Sequence, residues 1–136
     1  MDDLDFDLVM VDDWVDRRKL DEFEKSNYEQ IRPYHFVRDE GFYGSSEVYF
    51  GIPLKRIHLT KNGFKAREYT DDTEFYYYDC YEINVSFDEG LPEDDIPPVI
   101  FLTIEFAEKS LCMPIEYVHE LQQAMRIMGC DKEIKL

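Results

Sequence analysis

The sequence predicts an α+β fold: a single domain over residues 1–136, with about six antiparallel strands in one sheet and an N-terminal and a C-terminal helix packed on one face of it. Three observations carry that expectation. Residues 74–87 and 99–106 alternate apolar and polar side chains with the period of a strand. Asn62-Gly63 lies between two extended runs, the favoured pair for a tight hairpin turn because both central residues need positive φ. Ile115, Val118, Leu121, Met125 and Met128 recur at helical spacing.

At 136 residues the chain falls in the size range of one hydrophobic core. A hydrophobic fraction of 44% and an aromatic fraction of 15% separate it from acidic chains that stay disordered for want of apolar surface. Leu4, Phe6, Leu8 and Met10 alternate with Asp5, Asp7 and Val9 as a short first strand. Asp12 or Asp13 then caps a helix predicted to reach Ile31, with Trp14, Val15, Leu20, Phe23 and Ile31 as its buried stripe. Acids precede Arg17, Arg18 and Lys19 there, in the order that suits a helix dipole, and Pro33 bars any extension. Strands are predicted at 34–37 and 47–50 around the turn DEGFYGSS, then at 54–60 and 64–69 around Asn62-Gly63. DEGLPEDDIPP, residues 88–98, is a loop by its Gly, Pro and acid content. In the strand at 99–106, Ile100, Leu102, Ile104 and Phe106 share one face. Pro114 occupies the first position of the last helix, which Gly129 closes.

The stretch TDDTEFYYYDCYEINVSF, residues 70–87, is both greasy and acidic. Taken as one strand, its odd positions (Phe75, Tyr77, Asp79, Tyr81, Ile83, Val85, Phe87) form the core face. Its even positions (Glu74, Tyr76, Tyr78, Cys80, Glu82, Asn84, Ser86) form the wetter one. Asp79 spoils the odd face, and a β-bulge near 78–80 would remove the misfit and reverse the placement of Tyr76 and Tyr78.

Charge is the strongest bias. Thirty-one acidic against fifteen basic residues give a net charge of −16. Residues 68–108 hold thirteen carboxylates and no Lys or Arg, and so supply −13 of it. Residues 53–67 carry Lys55, Arg56, Lys61, Lys65 and Arg67 with no acid. A merely solubilising surface mixes its signs, so this segregation points to a polarised face. Such a face repels nucleic-acid phosphates and anionic membranes and attracts cationic proteins.

Signatures of chemistry are lacking. His35, His58 and His119 fall in no catalytic pattern, and His119-Glu120 is followed by Gln123 where a zinc helix needs its second His. Asp5-Phe6-Asp7 lacks the buried strand that precedes a phosphoryl-transfer pair, and no glycine spacing makes a phosphate loop. The acids at 88–95 do not alternate as a calcium loop requires, so neither metal nor cofactor is expected. Cys80, Cys112 and Cys130 fit reduced structural thiols. With no signal-peptide pattern and no apolar run of membrane length, a cytosolic protein is expected. Asn84-Val85-Ser86 matches a glycosylation sequon but falls within a predicted strand.

The expected function is therefore non-enzymatic protein binding. The partner-binding candidates are Asp71, Asp72, Glu74, Tyr76, Tyr78, Glu82, Asp88, Glu89, Glu93, Asp94 and Asp95: tyrosines as low-entropy anchors, carboxylates to select a cationic partner. In composition the chain resembles phage-encoded anti-restriction and anti-CRISPR proteins, which are short, acidic and cofactor-free. That likeness implies an inhibitor covering the nucleic-acid-binding surface of a basic nuclease or defence complex, with loop carboxylates as partial phosphate mimics. An immunity protein against a basic nuclease toxin obeys the same physics. A small enzyme or a structural or regulatory phage subunit is the reading from other classes.

Overall fold

A computed structural model of the chain describes residues 9–19, 21–32, 47–66, 73–78, 82–106 and 108–136. In order, its elements are β1 (Trp14–Lys19), β2 (Tyr28–Gln30), β3 (Glu47–Gly51), α1 (Arg56–Lys61), β4 (Lys65–Ala66), β5 (Thr73–Tyr78), β6 (Ile83–Asp88), β7 (Val99–Phe106), β8 (Lys109–Ile115) and α2 (Val118–Ile127). The α+β class holds, but the strands form two antiparallel sheets, β2-β1-β3 and β4-β5-β6-β7-β8. The chain divides into two compact units, one of Met1–Pro53 with Tyr117–His119, the other of Leu54–Glu116 with Glu120–Leu136.

In the first unit the predicted N-terminal helix is instead β1, the central strand, paired with β2 at Val15↔Glu29 and with β3 at Asp16↔Phe50. A buried carboxylate explains the misreading. Asp16 is 5% exposed and Val15 fully buried, so adjacent positions are both inside and the period of two is hidden. Asp16 is tolerated because its Oδ1 accepts the Asn27 N–H at 2.9 Å and its Oδ2 accepts Arg18 Nε at 3.1 Å. Phe23, placed on the expected helix stripe, is 42% exposed. Val9, Val15, Ile31 and Tyr49 form the core cluster of this unit. The predicted strand at 34–37 lies outside the described residues, as does most of the one at 4–10.

In the second unit, residues 54–61 do not form the first arm of a hairpin. Their second part is α1, and Asn62-Gly63 ends it. Gly63 does adopt positive φ, at +85°, but as the residue after a helix cap. Its N–H reaches Thr60 O at 3.3 Å and the Phe64 N–H reaches Leu59 O at 3.0 Å, with Phe64 and Leu59 both buried. At the other end, Nδ1 of His58 accepts the Lys55 N–H at 3.0 Å, satisfying one donor at the helix start. Burial first, then the charges of Lys55 and Lys61, push the His58 imidazole below its ordinary value. In the unfolded chain it titrates at about 6.5. Its contribution to stability is therefore complete above that pH and lost as pH falls through the lower folded value. We expect thermal unfolding followed from pH 7.5 to 5 to show a falling melting temperature, and His58→Gln to flatten that slope.

Residues 74–78 and 83–87 are the two paired arms of a hairpin and not one continuous strand. The chain reverses between Tyr78 and Ile83, which pair directly, and Glu82 takes φ +47° in the reversal. Four intervening residues pair even positions with odd ones, as in Tyr76↔Val85, so the core face changes parity across the turn. Ile83, Val85 and Phe87 are buried as expected, but in β5 the buried residue is Tyr76. The expected bulge at 78–80 falls largely outside the described residues.

Cross-strand register carries this face through the sheet as Tyr78–Ile83–Ile104–Leu111, Tyr76–Val85–Leu102–Met113 and Glu74–Phe87–Ile100–Ile115. Leu59 of α1 and Leu121, Ala124 and Met125 of α2 are buried apolar stripes that complete the core. Strand β8 has no counterpart among the elements the sequence predicts. Pro114, expected as the first helical residue, pairs with Phe101 inside it, and α2 starts only at Val118. Gly129 closes α2 as expected, at φ +84°, with the Cys130 N–H on Met125 O at 2.8 Å.

Candidate protein-binding face

The second face of the five-stranded sheet is open. Its rows are Lys65–Tyr77–Asn84–Thr103–Cys112, Phe75–Ser86–Phe101–Pro114 and Thr73–Asp88–Val99. None of these residues is buried. Phe101 is 40% and Val99 38% exposed, with Phe75 and Tyr77 half-buried beside them. Antiparallel sheets commonly leave one face wet, but that face is then polar. Here its middle is aromatic and apolar.

Carboxylates stand at both ends of that apolar centre. Toward the β5–β6 turn, exposed Glu82 and Glu105 line a hollow of about 370 Å³ together with Tyr77, Asn84 and Thr103. At the opposite end Asp88 leads into the loop bearing exposed Glu89, Glu93, Asp94 and Asp95. The loop is built to hold those acids in place. Asp88 Oδ1 accepts the Gly90 N–H at 2.8 Å, and Leu91 and Ile96 exchange two backbone hydrogen bonds of 2.9 and 3.0 Å around a single 3₁₀ turn, Pro92–Asp94. Gly90 is required there: its φ is +74°, and a Cβ would come within 2.3 Å of Ile96 O.

The expected site residues divide accordingly. Glu82, Asp88, Glu89, Glu93, Asp94 and Asp95 ring the open face or its loop, while Asp71 and Asp72 lie outside the described residues. Tyr76, expected outside, is 6% exposed, its ring edge-on to Phe87 at 5.7 Å. Tyr78 also lies on the covered side, 5.3 Å from the Phe64 ring, with Lys132 Nζ 5.5 Å from its own centroid. Both displacements follow from the change of parity at the turn. Glu74 goes with them and is hydrogen-bonded to Arg56. That bond, with the charges of Glu74 and Glu89, raises the Arg56 guanidinium above its ordinary value against the opposing effect of burial. Arg56 also stacks over Phe87 at 5.0 Å, so it serves the fold.

Phe75, Tyr77, Val99, Phe101 and Pro114, in place of the two tyrosines, supply the apolar surface of the open face. Phe101 was legible as the opposite side of the strand whose core face is Ile100, Leu102 and Ile104. Phe75 and Tyr77 were hidden by the unrecognised turn. Apolar anchors inside a charged rim are the anatomy of a protein interface, in which burial supplies affinity and charge selects the partner. Among the described residues, no group of three or more His, Cys, Asp or Glu side chains is placed to hold a metal ion. No helix among them is long and apolar enough to cross a membrane. Comparisons with protein-family models, with curated proteins and with solved structures find no match to this chain.

Proposed function

We propose that the protein is a small non-catalytic inhibitor, of the phage anti-defence type, whose open sheet face binds a basic, nucleic-acid-handling protein and blocks its nucleic-acid-binding surface. The observation that carries this reading is an aromatic centre on the open face, exposed Phe101 beside half-buried Phe75 and Tyr77, set within residues 68–108, which hold thirteen carboxylates and no cation. A surface that binds phosphates is cationic and partly apolar, and this face is its complement in both respects. Among the described residues, the carboxylates of this face (Glu82, Asp88, Glu89, Glu93, Asp94, Asp95 and Glu105) are grouped at the ends of the sheet and on one loop, which suits contact with a protein groove better than imitation of a regular phosphate row.

The test is capture of proteins from host lysate on the immobilised chain at about 50 and about 400 mM salt. A basic nucleic-acid-binding protein should be retained at the lower salt, released at the higher, and displaced by its own nucleic acid. Replacing Asp71, Asp72, Asp94 and Asp95 together by lysine should weaken that binding by about 100-fold or more and leave the circular dichroism spectrum unchanged. Full binding by the folded quadruple variant would overturn the proposal.

A further inference from the structure

Where β6 ends and β7 begins, a groove of about 970 Å³ opens at the end of the sheet. Its floor is apolar, made by Leu54 and Ile57 together with Phe87, Ile100 and Ile115 from the covered face. Ile57 is 53% exposed although it sits in α1, an apolar surface that the described residues leave uncovered. Four carboxylates, Asp88, Glu89, Glu116 and Glu120, line the groove against two cations, Lys55 and Arg56. Arg56 is already engaged by Glu74, by Glu89 at 4.0 Å and by the Phe87 ring. The charge left to an incoming group is therefore negative. Asp88, Val99 and Pro114 belong both to this groove and to the open sheet face, so the two surfaces are continuous.

We infer that the groove receives an extended Lys- or Arg-bearing segment of the basic partner. An apolar side chain of that segment rests on Ile57, Ile100 and Ile115, and the neighbouring cation reaches toward Asp88 and Glu116. The inference rests on the reading above for the sign of the partner. It adds a requirement that charge alone does not make: the segment must alternate apolar and basic side chains. Arg56 over Phe87 shows the same chemistry within the chain, a guanidinium lying on an aromatic face with its head against carboxylates.

Two synthetic peptides of equal length and charge separate these requirements, one alternating Leu and Arg, the other Ser and Arg. They are titrated into the full chain labelled at its isoleucine methyl groups. The Leu–Arg peptide should saturably shift Ile57, Ile100 and Ile115 and leave Ile127, exposed on α2, unmoved. It should bind about 10-fold more tightly than the Ser–Arg peptide, as expected for one buried leucine. Ile57→Ser should erase that advantage without lowering the melting temperature, because Ile57 is largely exposed. Equal affinity for the two peptides, or shifts confined to methyls outside the groove, would overturn the groove while leaving the charge reading standing. No binding by either peptide would overturn both.

Discussion

Replacing Asn62 by alanine is expected to lower the unfolding free energy by about 3 kcal/mol, read from urea denaturation. Asn62 is 3% exposed and uses both ends of its amide. Its Nδ2 donates to His58 O at 2.6 Å and to Lys135 O at 2.7 Å, while its Oδ1 accepts the Lys135 N–H at 2.7 Å. The pair of bonds to Lys135 has the form of a backbone ladder, with a side chain standing in for a strand. They tie residues 130–136, including buried Cys130 and Ile134, to the end of α1. Alanine leaves several part-buried backbone groups without this partner, and it is the unmade bonds that weigh most. Asn62→Asp should be no milder, because an oxygen then faces two carbonyl oxygens where Nδ2 had donated. A loss below 1 kcal/mol for both variants would show that Lys135 finds other partners and that the clasp is incidental.

Asp16→Ala should destabilise the first unit by a similar amount, about 3 kcal/mol, for an electrostatic reason. The Asp16 carboxylate and the Arg18 guanidinium meet at 3.0 Å with side chains only 7% and 17% exposed. Arg18 also donates to Phe23 O at 3.2 Å and Ser26 Oγ at 3.0 Å, and its Cζ lies 5.7 and 5.6 Å from the Phe23 and Phe50 rings. Removing the carboxylate leaves that guanidinium held in place without its counter-charge, and the Asn27 N–H without its acceptor. Asp16→Asn keeps an acceptor and should cost about half as much. The double change Asp16→Ala with Arg18→Leu separates charge from packing: if the unpaired cation is the cause, it recovers part of the loss measured by thermal unfolding.

What the residues disclosed in advance depended on how local the signal was. The core face of β7 and the stripe of α2 were readable because Ile100, Leu102 and Ile104, and Val118, Leu121 and Met125, repeat without a polar interruption. Strand β1 was not, since its burial is shared with a carboxylate and its partner β3 lies some thirty residues away. Asn62-Gly63 pointed to the right conformation at Gly63 and to the wrong element, because a helix end and a hairpin turn use the same positive φ. The break in apolar alternation at Asp79 is the trace that the β5–β6 reversal leaves in the sequence. That single turn puts Tyr76 and Tyr78 on the covered side of the sheet and Phe75 and Tyr77 on the open one, while Glu89, Glu93, Asp94 and Asp95 lie on the loop predicted at 88–98. Loop carboxylates are insensitive to strand parity, whereas anchors on a strand depend on it wholly.

An open aromatic sheet face is also a hazard to the molecule that carries it. Two copies meeting there would bury Phe75 and Phe101 together, and among the described residues β8 is an edge strand beside them. The −16 charge opposes that encounter. Pro114, with no N–H to offer, interrupts the edge of β8. Repulsion between like copies reaches only about 8 Å at physiological salt, which guards against face-to-face contact yet leaves a cationic surface free to approach. The same carboxylates thus act as a colloidal barrier between copies and as an attraction for an oppositely charged protein, and concentrated salt weakens both at once.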